Sequence, residues 1–327
     1  MRFIDYGADG TPASLHIAQA PMPVPAFGQV LIEVHCAGVN RPDILQRLGR
    51  YAPPPGASPI LGLEVAGTIA ALGQGVSEWQ LGQSVCALVP GGGYAEYCLT
   101  PAGQVLPLPQ GMAMEQAAGL PEVWFTVWAN LVQLARLQRG ERLLVHGGSS
   151  GIGLAAIQLA RELGAESVVT VGSGDKAQFC VAFGARAAIE YRREDFAARI
   201  EQLYEGEGMD VVLDMIGAPY LERNLRVLRR DGRLVFIAFQ QGSRVQLDLH
   251  TLLARRLRLM GSAMRPRSIA EKTAIRDALL QRIWPALADG RVRSHLHATF
   301  PMERAREAHE LMESGQHIGK LVLRMRS

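Results

Sequence analysis

Near the middle of the chain an apolar run, Arg142–His146, leads straight into Gly147-Gly148-Ser149-Ser150-Gly151-Ile152-Gly153 and then into a helical pattern from Gly153 to Leu163. Few folds accommodate that order. Glycines let the backbone turn tightly and come close to a bulky anion, and the helix that follows presents its positive end there. Ala155 and Ala156 keep the helix face small, so it can lie close to a sheet. The strict G-x-G-x-x-G spacing is not met. Counted from Gly148 the second glycine is Ser150, and counted from Gly151 the last is Ala156. The context carries the reading instead. Strand candidates Ser167–Val171, Ala187–Glu190, Asp210–Asp214 and Arg233–Ala238 alternate with helix candidates near Asp175–Phe183 and Glu194–Tyr204, and Leu221, Leu225 and Leu228 repeat at helical spacing. Such alternation predicts a parallel sheet with crossover helices, and a dinucleotide-binding turn within it. A glycine-rich turn of purely structural use is the competing reading.

The flanks differ. Of 18 prolines, 14 lie at or before Pro121, and none lies between Glu122 and Ala218. Short apolar runs at Gln29–His35, Gly67–Leu72, Gln83–Leu88 and Tyr94–Thr100 sit between Pro/Gly turns, which predicts a partly open β-barrel or sandwich. Past Gly261 come a helical stretch, Glu271–Ala288, broken near Pro285, a helix at Arg304–Glu313 and a strand at Lys320–Met325. The chain is thus an α/β protein of two domains. Its net charge, 34 − 31 = +3, is no nucleic-acid footprint. No run of 18 apolar residues predicts a membrane span, and the start has no signal layout, so a cytoplasmic protein is expected. Cys36, Cys86, Cys98 and Cys180 match no zinc or redox spacing and are read as buried free thiols.

The second strand of the alternating region ends Val171-Gly172-Ser173-Gly174-Asp175-Lys176. An NAD enzyme usually places Asp or Glu here to grip the ribose 2′-hydroxyl. Gly172 and Ser173 stand in its place, and Lys176 follows one turn on, which suits a 2′-phosphate and hence NADPH. Tyr191 adds a hydroxyl from the next strand end. Asp175 is read as a helix cap, and Lys176 as an ordinary solvated lysine is the alternative. The glycine string also occurs in short-chain dehydrogenases, but none of the seven tyrosines has Lys four residues on.

Further residues carry a family likeness: Gly38-Val39-Asn40-Arg41-Pro42-Asp43, Gln46-Arg47-Leu48-Gly49-Arg50-Tyr51, Pro53-Pro54-Pro55-Gly56-Ala57-Ser58, Ile60-Leu61-Gly62-Leu63-Glu64, Pro90-Gly91-Gly92-Gly93 and Ile318-Gly319-Lys320-Leu321-Val322-Leu323. Together they resemble the medium-chain dehydrogenase/reductase family in its zinc-free quinone oxidoreductase branch, nearest the p53-inducible type and further from the zeta-crystallins. The resemblance implies a GroES-like β-rich catalytic domain (residues 1–122 and 266–327), a Rossmann doubly wound domain (123–265) and a cleft between them. It implies NADPH, a quinone or other electron-poor acceptor, and a homodimer or homotetramer. Where zinc-dependent relatives carry a ligating Cys and His, this chain has Asn40 and Leu63. Leucine cannot ligate and a neutral amide is a poor zinc ligand, so no metal is expected. Glu64 beside them is read as structural.

The expected reaction is hydride transfer from NADPH to a quinone without zinc or flavin. Hydride addition to a conjugated enone or enal, or a non-catalytic NADPH-binding redox sensor, are the alternatives. Asn40 is a candidate to hydrogen-bond the nicotinamide ribose or the substrate oxygen. Tyr51 packs a planar ring and donates its phenol. Asp43 orients neighbours or caps a helix. Gly148, Ser150, Gly151, Ile152 and Gly153 are assigned to the pyrophosphate, and Ser173, Lys176 and Tyr191 to the 2′-phosphate. Thr126 matches a family position at the nicotinamide end, with helix packing as the alternative. Phe239 and Gln240 follow a strand end, where such sheets bind ligands, with core packing as the alternative for Phe239. Arg255, Arg256 and Arg258 are read as a solvated face rather than a nucleic-acid site, and Trp124 and Trp128 as core.

Overall fold

The computed structural model describes residues 1–326. They form two compact units. One is Met1–Phe125 together with the chain from Arg265 onward, and the other is Thr126–Met264.

The Thr126–Met264 unit is built on a six-stranded, wholly parallel sheet. Across it run Ala187–Glu190, Glu166–Val171, Arg142–His146, Met209–Asp214, Leu228–Phe236 and Arg258–Gly261. Counted from Arg142, this is the order 3-2-1-4-5-6 of a doubly wound sheet. Leu143, Leu144, Val145, Val211, Val212 and Leu213 in the two central strands are fully buried, as expected where helices cover both faces. The order reverses between those two strands, so the ends at His146 and Asp214 flank the crevice where such sheets take ligands. The first crossover helix runs Gly151–Leu163 and stops at Gly164, which takes the left-handed conformation. One strand departs from expectation. Leu228–Phe236 begins five residues earlier than the apolar pattern indicates, running through charged Arg229-Arg230-Asp231 with a register irregularity.

The other unit centres on a seven-stranded sheet. Gln29–Val39 is its longest strand and pairs with Glu64–Leu72, Tyr97–Pro101 and Lys320–Arg324, all antiparallel. The last strand lies between Gln29–Val39 and Leu296–Pro301, with Leu321 opposite Val39. That register brings Lys320 beside Asn40. The predicted long C-terminal helix is two, Ile269–Arg282 and Trp284–Ala288, because Pro285 cannot supply an N–H to a continuing ladder.

All four cysteines are free and buried. Trp124 and Trp128 are core. The basic run is engaged within the protein: Arg255 donates to the Leu225 carbonyl at 2.9 Å and Arg256 pairs with Asp231. Among the described residues no helix is long and apolar enough to cross a membrane.

Candidate functional site

The glycine turn follows the strand Arg142–His146. Gly147 adopts φ +75°, and a Cβ on it would lie 2.9 Å from the Met215 sulfur. A Cβ on Gly148 would overlap Val169, and one on Gly153 would overlap the Gly147 and Gly148 carbonyls. The turn therefore has room for backbone only. Ser150 caps the helix, its hydroxyl accepting from the Gly153 N–H at 3.1 Å. Beneath the turn, His146 is fully buried between Thr170 Oγ1 (2.9 Å) and Asn224 Oδ1 (2.7 Å). Asn224 donates its other amide end to Asp214 Oδ2 at 3.0 Å. The amide oxygen only accepts, so Nε2 of His146 carries the proton and Nδ1 accepts from Thr170. Burial pulls His146 down to about 4, with Asn224 opposing and Arg223 adding. Asp214, pushed up to about 6 by burial, accepts from the backbone N–H groups of Ile216 (2.6 Å) and Gly217 (3.3 Å).

That turn pairs with the loop holding Phe239 and Gln240. Gln240 N–H donates to the Met215 carbonyl at 3.1 Å, and Ala218 N–H to the Gly242 carbonyl at 2.8 Å. Phe239 is 51% exposed, so it is not core. Met215 is a neighbour of both the glycine turn and this loop. No sequence motif marks it. Thr126 is buried, and its carbonyl accepts from the Asn130 amide at 2.9 Å.

At the end of Glu166–Val171, a Cβ on Gly172 would sit 3.1 Å from the Tyr191 hydroxyl, so tyrosine and strand end share one place. Ser173 precedes the helix Gly174–Phe183 with its hydroxyl not spent on capping. Lys176 is half-buried in the first turn of that helix. Burial lowers its ammonium pKa, and the nearby Arg192 cation lowers it further against the opposing pull of Cys180. Sequence reasoning does not single out Arg192. Glu190, the nearest acid on the neighbouring strand, lies 3.3 Å from Arg193.

In the other unit, Asn40 stands at the mouth of the helix Arg41–Arg47. Its backbone N–H donates to Asp43 Oδ2 at 2.8 Å. Its amide nitrogen donates to Glu64 Oε1 at 2.9 Å, and its amide oxygen accepts from Lys320 Nζ at 2.6 Å. Asp43 also accepts from Gly62 N–H (3.2 Å) and from the Tyr94 hydroxyl (3.2 Å). Burial nevertheless pushes its carboxyl up to about 7, against those donors and the Lys320 cation. Behind Tyr94 lies His309, 3.1 Å from the phenol oxygen, and Arg47 stands 3.0 Å from the far ring nitrogen. Arginine only donates, so Nδ1 of His309 accepts and Nε2–H points at Tyr94. Burial, aided by Arg47, drops His309 to about 3.

Tyr51 is half-buried beneath Arg265, whose guanidinium carbon lies 5.3 Å from the ring centre. Arg265 donates to the Pro90 carbonyl and to Gln46 Oε1 at 2.8 Å, and its own carbonyl accepts from Lys272 at 2.9 Å. Burial and then the Glu122 carboxylate push the Tyr51 phenol up to about 12, with Arg265 opposing. Burial and Glu64 push Glu122 itself up to about 8. Sequence reasoning misses Glu122, Arg265, Lys272 and His309, since none lies in a motif of recognisable spacing, and it sees Lys320 within Ile318–Leu323 without assigning it a role. Among the described residues no cluster of three or more His, Cys, Asp or Glu is arranged to hold a metal ion.

Residues 26–110 match the alcohol dehydrogenase GroES-like domain family and residues 183–323 the family described as zinc-binding dehydrogenase. The quinone oxidoreductase of Rattus norvegicus is 31% identical over 99% of this chain and 97% of its own length. A phenolphthiocerol/phthiocerol polyketide synthase of Mycobacterium tuberculosis is 31% identical over 95% of this chain, which spans 14% of that much longer protein. Among solved structures, Escherichia coli quinone oxidoreductase complexed with NADPH superposes with a TM-score of 0.87 at 28% identity, covering 99% and 100% of the two chains. CurK enoyl reductase gives 0.87 at 28%, covering 99% of each.

Proposed function

This chain belongs to the medium-chain dehydrogenase/reductase family, with that family's NAD(P)-binding fold, and we propose that it is an NADPH-dependent quinone reductase needing neither zinc nor flavin. The observation that carries the coenzyme choice is the end of Glu166–Val171. Gly172 and Ser173 bring no carboxylate of their own, Tyr191 lies against Gly172, Lys176 stands in the first turn of the helix that follows, and the Glu190 carboxylate near Gly174 is paired with Arg193. A 2′-phosphate gains a cation and two hydroxyls at such a place, where a carboxylate would repel it. The turn at Gly148 and Gly153, closed to any Cβ and lying at the N-terminus of a 13-residue helix, fits a pyrophosphate.

NADPH, when bound, supplies a hydride. The backbone of Gly148, Ser150, Gly151, Ile152 and Gly153 holds its pyrophosphate, and Thr126, Phe239 and Gln240 are assigned to its nicotinamide end. Asn40 and Tyr51 are assigned to the acceptor. Because its phenol is held protonated across neutral pH, Tyr51 serves as a hydrogen-bond donor to a quinone oxygen. A quinone is already electron-poor, so orientation does most of what catalysis requires. The quinone itself rests on relatives bearing that name. The likeness to CurK enoyl reductase favours a second reading, reduction of a conjugated enone or enal.

The test is steady-state oxidation of NADPH and NADH by the full-length protein, offered an ortho-quinone, an enone and an enal in parallel. Faster turnover with NADPH and the quinone supports the first reading, and turnover with the enone or enal alone replaces it with the second. Tight NADPH binding with no hydride transfer to any acceptor leaves only a redox sensor. Light scattering on the same sample reads the homodimer or homotetramer expected of this branch.

A further inference from the structure

The Lys320 ammonium is buried and has three acceptors: Glu64 Oε1 at 2.6 Å, Asn40 Oδ1 at 2.6 Å and the Val39 carbonyl at 3.3 Å. An ammonium has three protons, so its donor capacity is filled. Glu64 is fully buried; its second oxygen accepts from the Glu122 N–H at 2.9 Å. Two glycines open the space for this group. A Cβ on Gly38 would overlap the Glu64 carboxylate, and one on Gly119 would lie 3.0 Å from the Lys320 stem.

The consequence falls on Asn40. Its amide oxygen faces a cation and its amide nitrogen faces an anion. Turning the amide over would set N–H groups against the ammonium and the oxygen against the carboxylate, losing two charge-assisted hydrogen bonds at once. One orientation survives. The backbone of Asn40 is fixed independently by Asp43. The same cation opposes the three carboxyl groups Glu64, Glu122 and Asp43. Glu64 lies 24 residues from Asn40 and Lys320 lies 280 away, so the clamp joins three separate strands and loops.

We propose that Lys320 is a positioning residue: its ammonium, through Glu64 and the Asn40 amide, sets the direction in which Asn40 meets the acceptor. The inference rests on the reading that Asn40 belongs to the acceptor site. It separates orientation from mere charge balance. Lys320→Met leaves a buried carboxylate uncompensated, and Lys320→Met with Glu64→Gln removes both charges while sparing volume.

The test uses full-length variants and two readouts. Turnover of NADPH with the quinone is expected to fall roughly 10- to 100-fold in Lys320→Met, with acceptor KM and NADPH Kd changed less than about 3-fold, the size expected for losing a hydrogen bond to a charged group. The double variant is expected to recover thermal stability without recovering kcat. In Lys320→Ala, added ethylammonium is expected to restore turnover, while tetramethylammonium at equal ionic strength does not. The second readout is the side-chain amide signal of Asn40 in selectively labelled protein, expected to be slow in hydrogen exchange in the wild type and fast in Lys320→Met. A double variant that regains wild-type kcat would overturn the inference. So would an Asn40 amide signal indifferent to Lys320. A wild-type protein that reduces no acceptor sinks the quinone reading instead, and the amide signal then decides the role of Lys320 alone.

Discussion

Each unit buries one neutral histidine, and the two are used alike. In the Thr126–Met264 unit, Thr170 donates to His146, His146 to Asn224 and Asn224 to Asp214, which grips two backbone N–H groups of the Met215–Gly217 turn. In the other, Arg47 donates to His309, His309 to Tyr94 and Tyr94 to Asp43, which grips the N–H groups of Asn40 and Gly62. The difference lies at the source. The first relay starts at a neutral hydroxyl, the second at a guanidinium tied to Glu313 at 2.7 Å. The neutral relay shapes backbone, beside a turn whose glycines are proposed to hold the pyrophosphate. The charged relay holds a loop whose side chains are the candidates for chemistry. A site made of backbone needs shape, and a site made of amide and phenol needs direction.

Breaking the relays is expected to have the largest effect. Asn224→Leu strands the Nε2–H of His146, at about 1–3 kcal/mol, and leaves Asp214 Oδ2 with only the long contact from the Gly217 N–H at 3.3 Å. Tyr94→Phe strands the Nε2–H of His309 in the same way but is expected to cost less, because Asp43 Oδ2 keeps the shorter bond from the Asn40 N–H at 2.8 Å. Urea unfolding of both variants ranks them, and the reverse order breaks the parallel between the units. Gly153→Ala comes next. Its methyl collides with the carbonyls of the turn, so stability is expected to fall by about 1–3 kcal/mol. Dinucleotide binding, measured by calorimetry, is expected to weaken by roughly 100-fold as the turn shifts. Unchanged binding would mean that the turn is only structural.

The two regions are unequally legible in the sequence. The turn is local: strand, glycines, capping serine and helix follow one another, so the order of elements along the chain announces it. Fold class follows for the same reason, since alternation along the chain maps onto the order of a parallel sheet. The Asn40 cluster is not local. His309 and Arg47 are 262 residues apart, and Lys320 reaches Asn40 only because the last strand pairs with Gln29–Val39. Asn40, Asp43 and Tyr51 are visible as a short motif, but what orients them comes from the far end of the chain. Met215 is invisible for another reason: a methionine packed against a glycine has no signature in sequence.

Lys176→Ala tests the shape-built site by charge. NADPH affinity is expected to fall by roughly 10- to 100-fold, since a charge-assisted contact is lost, while NADH affinity moves little. Fluorescence titration with both coenzymes reads the difference, and equal weakening would falsify the 2′-phosphate assignment.

A smaller effect concerns pH. His146 and His309 ionise near 4 and 3 in the fold, against about 6.5 in an unfolded chain. Protons therefore favour unfolding as pH falls below about 6.5, at up to about 1.36 kcal/mol per pH unit for each histidine. Asp43, Asp214 and Glu122 act oppositely. Their raised values mean that the fold holds protons the unfolded chain has lost, so stability declines as pH rises toward about 7, 6 and 8 respectively. Between about pH 4.5 and 6 the three carboxyl groups outweigh the two histidines, so stability declines as pH rises, and Asp214→Asn is expected to flatten that slope by leaving two groups of each kind. Urea midpoints across that window check it; an unchanged profile would place the titration elsewhere.

The smallest change expected is in Tyr51→Phe, where the ring keeps its place under Arg265 and only the phenol donor is lost. A fall in turnover of less than about 10-fold is expected for one neutral hydrogen bond, with NADPH Kd unchanged. Unaltered kinetics would reduce Tyr51 to packing.

The most direct measurement of the central claim is a single turnover. The protein is loaded with one equivalent of NADPH, mixed with an excess of ortho-quinone, and the fluorescence of the bound coenzyme is followed with and without a strong metal chelator. The signal is expected to disappear in one phase at a rate the chelator leaves untouched. A coenzyme that stays reduced on the protein, or a reaction that the chelator stops, would contradict the account.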